Sequence, residues 1–148
     1  ALIDFLRRPL RVCGMVKNDG EPGGGPFWVQ DAGGRTSVQI VEAAELNLEE
    51  PHQQSVLERA THFNPVLMAL AVRDDRGRPF DLLRFVDEDR AIITHKPVAG
   101  GTATVLERPG LWNGAMAKWN SVFVEVPQEV FTPVKTVFDL LREAHQPA

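Results

Sequence analysis

Residues 20–28 read Gly-Glu-Pro-Gly-Gly-Gly-Pro-Phe-Trp, and no helix or strand ladder runs unbroken through such a stretch. Each proline lacks a backbone donor, and three consecutive glycines leave the backbone without Cβ atoms. The stretch separates two runs of strand-forming composition, Leu10 to Lys17 and Phe27 to Gln30. The early chain must therefore fold as short strands around a wide loop. Ordering that many glycines costs conformational entropy, so the loop asks for a reason. A wide hairpin is one reading. The other is a small-molecule site in which Gly23, Gly24 and Gly25 let the backbone approach a ligand, with Glu21 as the single charge beside it.

The rest of the chain alternates in character. Ala1 to Arg8 reads as the end of a helix stopped by Pro9, already under way where the sequence opens, and the expectation is a C-terminal portion of a longer protein. Phe27 to Gln30 and Thr36 to Val41 flank Asp31-Ala32-Gly33-Gly34, a hairpin signal. Leu46 to Ala60 is helical in character, with Pro51 near its start. Val66 to Val72 is continuously apolar, as expected of a strand covered on both sides. Asp74 to Pro79 is a turn, and Phe80 to Val86 a short helix or strand. Ala91 to Thr94, Thr102 to Glu107 and Val122 to Val126 read as strands, Gly110 to Trp119 and Val134 to Ala144 as helices. The expectation is a single α/β domain over residues 1–148, a mixed β-sheet layered with helices.

Composition excludes several partners. At 148 residues the chain is long enough to bury a core, and 43% hydrophobic with 24% charged residues is ordinary for a globular protein. A net charge of −4 argues against a nucleic-acid surface, and no apolar run is long enough for a membrane span. No signal peptide opens the sequence, so the expected compartment is the cytoplasm. The single cysteine, Cys13, lies in an apolar strand and reads as a buried thiol.

The candidate chemistry is dispersed. The glycine loop is no Walker loop, because no Lys-Ser or Lys-Thr follows it. Nor is it a dinucleotide fingerprint, because a strand rather than a helix comes next. His62 and Asn64 lie before the apolar run and could hydrogen-bond sugar or base hydroxyls; alternatively Asn64 makes an Asx turn and His62 caps the preceding helix. Glu42, at the end of a strand, could accept from substrate hydroxyls or be a solvated charge. The remaining histidines and Asp87-Glu88-Asp89 lack metal-ligand spacing, so no metal and no catalytic residue is assigned. Lys135 falls in the first turn after Thr132-Pro133, where the helix dipole disfavours a cation. A ligand phosphate is a natural compensation, and a tolerated surface lysine the plain alternative.

Phe131-Thr132-Pro133-Val134-Lys135-Thr136, followed by Asp139-Leu140-Leu141, resembles the Pro-Val-Lys-Thr and Asp-Leu-Leu segment of the UDP-sugar pyrophosphorylases. Gln39-Ile40-Val41-Glu42 and Phe63-Asn64 are similar to two further segments of that group, as are Gly100-Gly101-Thr102 to Glu107 and Gly114-Ala115-Met116. The resemblance implies the C-terminal half of a nucleotide-diphospho-sugar transferase-like fold. It implies that Lys135 contacts phosphates, that Glu42 and Asn64 select sugar hydroxyls, and that Gly23 to Gly25 line the sugar pocket or let a lid move over it, with Glu21 facing hydroxyls. It also implies a sugar phosphate and a nucleoside triphosphate as partners, with Mg²⁺ in the intact enzyme and no cofactor in this chain. The glycine-rich nucleotide loop of the group belongs to its N-terminal half, which this chain lacks, so the chain alone is expected to be inactive. A non-catalytic binding module for a sugar phosphate or nucleotide, or a structural domain, remains the alternative. Over nearly its whole length, including Arg11 to Asn18 and Gly20 to Phe27, the chain is most similar to a bacterial domain-of-unknown-function family, number 4301.

Overall fold

The computed structural model describes residues 2–18, 24–131, 134 and 136–147. A short helix α1 (Leu2–Leu6) ends before Pro9 and leads into β1 (Leu10–Lys17). Strands β2 (Gly25–Gln30) and β3 (Thr36–Val41) follow as an antiparallel hairpin. Its turn is closed by Asp31, whose Oδ1 accepts from Gly33 N and Arg35 N, with Gly34 at a φ of 77°. Helix α2 (Pro51–Glu58) precedes β4 (His62–Phe63) and β5 (Met68–Ala71); a second hairpin, β6 (Ile92–Val98) and β7 (Gly101–Glu107), precedes β8 (Asn120–Glu125).

Strand β1 is the axis of the molecule. It pairs in parallel with β8 and antiparallel with β4 and β5. The hydrogen bonds fix which neighbour lies on which side. Gly14 N donates to Leu67 O and Asn18 N to Thr61 O, so the even-numbered residues of β1 face β4 and β5. Val126 N donates to Met15 O and Asn120 N to Pro9 O, so the odd-numbered ones face β8. β4 and β5 thus continue one another along a single side of β1, interrupted at residues 64–67. Cross-strand partners share a face of the sheet, so Cys13 and Met15 lie with Met68 and Phe123. Ile40 of β3 and Trp112 close over them to make the core.

Arg11, on the same face and 2% exposed, ties the first hairpin to this sheet. It donates to Ser121 Oγ (2.8 Å) and Gln39 Oε1 (2.8 Å), and Gln39 in turn donates to Ser37 Oγ. The Cys13 thiol is fully buried, and that burial raises its pKa.

Several elements depart from expectation. The apolar run Val66 to Val72 is not covered on both sides: β5 pairs only with β1 among the described residues, and Leu67, Leu70 and Val72 stay largely exposed. Residues 110–119 form turns rather than a helix, because Gly114 takes a φ of 92° and Asn113 Oδ1 accepts from Gly110 N. The segment from Leu46 to Ala60 is helical only over Pro51–Glu58, with proline in the first turn and Glu50 accepting from Gln53 N as N-cap. The closing helix is reduced to single 3-10 turns, Val137–Leu141 and Glu143–His145. Val137, Phe138 and Leu141 stay exposed among the described residues, and an isolated short helix is unstable without a surface to pack on. Residues 80–86 contain a 3-10 turn, Leu82–Phe85. Among the described residues no helix is long and apolar enough to cross a membrane.

Candidate functional site

Ligands of open α/β sheets bind beyond the carboxyl ends of parallel strands. Here those ends are Lys17 of β1 and Glu125 of β8. His62 is the cross-strand partner of Lys17, and Glu125 that of Met15, two residues back on the same face. Lys17, His62 and Glu125 therefore crown the core face where the sheet ends. The imidazole is held on one side by Thr61, whose Oγ1 lies 2.8 Å from Nδ1. On the other side Nε2 faces Glu125 Oε2 at 3.6 Å, beyond hydrogen-bonding distance, and has no hydrogen-bond partner although the atom is buried. His62 does not cap α2, whose last turn is closed by Arg59 N and Ala60 N donating to Leu57 O.

The glycine segment closes in beside it. Gly25 opens β2 opposite Val41, and a Cβ there would lie 3.1 Å from His62 O. A Cβ on Gly24 would lie 2.6 Å from Ile40 Cγ2 and 2.9 Å from Trp112 Cδ1, closer than real side chains approach. Gly24 is glycine because the core leaves no room for more, and its carbonyl accepts from Asn64 N at 2.8 Å. Glu21, Gly23 and Lys135 lie outside the described residues.

Asn64 sits where β4 breaks from β5, and it mends the break. Its Nδ2 donates to Gly14 O (2.8 Å), supplying the partner that the interrupted strand does not. Its Oδ1 accepts from Val66 N (3.1 Å), an Asx turn, and from Trp112 Nε1 (3.2 Å). Only 2% of the residue is exposed. The turn holds Val66 at a φ of 67°, a left-handed conformation that a β-branched residue rarely adopts.

Glu42 stands one residue beyond β3, half-buried, at the entrance to the turn Ala43–Glu45. Its backbone N–H donates to Glu45 Oε2 at 3.0 Å. Burial raises the Glu42 pKa, the Glu45 and Glu107 carboxylates add to the effect, and Arg90 offsets part of it. A carboxyl whose folded-state pKa lies above its unfolded value stabilises the fold only while protonated, so that stability is lost as pH rises from the ordinary glutamate value through the raised one. Glu42→Gln is therefore expected to raise the melting temperature at pH 7 and to leave it unchanged well below the glutamate range. Melting curves of both proteins across pH check this, and a variant that melts lower at neutral pH would refute it.

The sheet and the first hairpin thus bring Gly24, Gly25, His62 and Asn64 together around the carboxyl end of β1, with Glu42 at the end of the adjoining β3. Lys17 and Glu125 join them without any sequence signal of their own. Lys17 is one exposed lysine among others, and Glu125 ends a strand like any terminal charge. Among the described residues no group of three His, Cys, Asp or Glu side chains is placed to hold a metal ion.

Among the solved structures similar to this fold are two of one enzyme. Both are variants of UDP-glucose pyrophosphorylase from Leishmania major in complex with UDP-glucose, with TM-scores of 0.56 and 0.51 and 17% sequence identity in each case. They match 88% and 95% of this chain, which spans 30% and 32% of theirs. At that identity the likeness is one of fold: mixed α/β, of the nucleotidyltransferase-like kind expected from the sequence. No curated protein sequence matches the chain significantly. The family model that does match covers residues 1–146, so the chain belongs to the family described as Domain of unknown function (DUF4301).

Proposed function

We propose that this chain is the sugar-side portion of a sugar-1-phosphate nucleotidyltransferase, a protein that exchanges a nucleoside triphosphate and a sugar phosphate for a nucleotide sugar and pyrophosphate. The observation that carries the reading is the polar group at the carboxyl end of β1, in a fold shared with enzymes solved holding UDP-glucose. Glu42, His62 and the backbone of Gly24 and Gly25 lie at the rim where a sugar would rest, and Glu21 and Gly23, just before them in the sequence, are assigned to the same role. Asn64 shapes that rim by holding Gly14, Gly24 and Trp112 in place, and Lys135 is the phosphate contact. Mg²⁺, which in such a transfer neutralises the triphosphate, would be held by residues outside those described. The residues that activate the triphosphate belong, in this reading, to a segment this chain does not contain.

A thermal-shift panel tests the proposal. A ligand bound to the folded state at a hundredfold excess over its Kd stabilises by about 2.7 kcal/mol. For a chain of this size that is a rise of about 5–10 °C. UDP-glucose, UTP and glucose 1-phosphate are the probes, with inorganic phosphate as control. The expected result is a rise with UDP-glucose that Lys135→Ala diminishes. No rise with any of the three at millimolar concentration would sink the reading.

A further inference from the structure

The His62–Glu125 pair is an unfinished contact. Nε2 is buried yet unpartnered, and the carboxylate it faces stands 3.6 Å away, too far for a direct hydrogen bond. The Glu125 side chain is 62% exposed and the His62 side chain 23%, so the pair lies at the edge of the core rather than within it. The tautomer follows from the surroundings. A carboxylate facing Nε2 favours the proton there, and Thr61 Oγ1 then donates to Nδ1 at 2.8 Å. The result is one fixed N–H donor beside one charged acceptor, on the face where β1 and β8 end.

We propose that His62 and Glu125 clamp a vicinal diol, Nε2–H donating to one hydroxyl oxygen while the Glu125 carboxylate accepts from the neighbouring hydroxyl. Two adjacent hydroxyls of a sugar ring present an acceptor and a donor side by side, at roughly the separation of these two atoms. A phosphate is an anion and is repelled by the carboxylate, so the pair discriminates for the sugar and against the anion. Gly25 packs its backbone against His62, since a Cβ there would lie 3.1 Å from the His62 carbonyl oxygen. Thr61 is a positioning residue, acting only through the ring it orients. The inference rests on the nucleotide-sugar reading and adds Glu125 to it as a specificity residue.

The test compares UDP-glucose with UDP by calorimetric titration, so that the affinity contributed by the sugar is read as a ratio. Hydrogen bonds to charged groups contribute about 1.5–3 kcal/mol, so losing one reduces affinity about tenfold or more. The expected result is that UDP-glucose binds more tightly than UDP to the unaltered chain. Glu125→Gln and His62→Phe should each shrink that ratio about tenfold while affinity for UDP itself is unchanged. Thr61→Val should shrink it less, with Thr61→Ser restoring it. A sugar contribution that survives both Glu125→Gln and His62→Phe overturns the clamp and leaves the nucleotide-sugar reading standing. Failure of the unaltered chain to bind either ligand overturns both.

Discussion

Asn64→Ala is expected to destabilise the chain by about 3–5 kcal/mol, because one side chain satisfies three separate elements. The substitution leaves Gly14 O, Val66 N and Trp112 Nε1 without their partner. Each buried group left unsatisfied costs about 1–3 kcal/mol, and the total stays below the sum because water can enter beside the half-buried Trp112. The substitution also releases Val66, whose left-handed backbone costs of order 1–3 kcal/mol and persists only while its surroundings hold it. Asn64→Asp separates the contributions. It keeps the acceptor for Val66 and Trp112, loses the donor to Gly14 O, and sets a carboxylate against that carbonyl. Urea denaturation of the three proteins measures the differences. A cost below about 1 kcal/mol for the alanine variant would show that this network is not what joins β4 to β5.

That knot marks the limit of what could be read from the sequence. Strands β1, β2, β3, β7 and β8 were legible because alternation, β-branched residues and glycine turns are local signals that agree with one another. The Asx turn at Asn64 is legible as one alternative, because Asn before Pro carries its own local chemistry. What the sequence did not contain was Gly14 and Trp112 as its partners, 50 and 48 positions away. The apolar run at Val66 to Val72 misled for a related reason: hydrophobicity reports what a strand could bury, whereas exposure depends on which strands stand beside it. The segment at residues 110–119 failed as a helix although its apolar spacing suits one, since glycines at both ends of an asparagine-bearing turn outweigh periodicity. The candidate site divides along the same line. Glu42, His62, Asn64 and the glycines were visible as residue types at strand ends. Lys17 and Glu125 became visible only through the register of β1 with its neighbours.

Arg90→Met is expected to cost a similar amount, about 3–5 kcal/mol, the usual penalty for breaking a buried ion pair from one side. Arg90 binds Glu45 through two nitrogens, with Nε 2.7 Å from Oε1 and Nη2 2.7 Å from Oε2, and it also donates to Ile40 O at 3.2 Å. Both side chains are nearly buried, at 15% and 9% exposure, so the methionine variant leaves a carboxylate with neither its cation nor water. Glu42 is drawn in as well, because Arg90 is the cation that offsets the raised pKa of that neighbour. Arg90→Met should therefore make stability fall more steeply as pH rises above the glutamate range. The double variant Arg90→Met/Glu45→Leu is expected to recover most of the loss, since an apolar pair of similar volume commonly replaces a buried ion pair at little cost. Urea titrations of the two single variants, the double variant and the unaltered chain at pH 5 and pH 8 measure the cycle. If the double variant is no more stable than Arg90→Met alone, the unpaired carboxylate is not the cause of the loss. The hydrogen bond to Ile40 O, which fastens the segment before β6 to β3, would then be what Arg90 contributes.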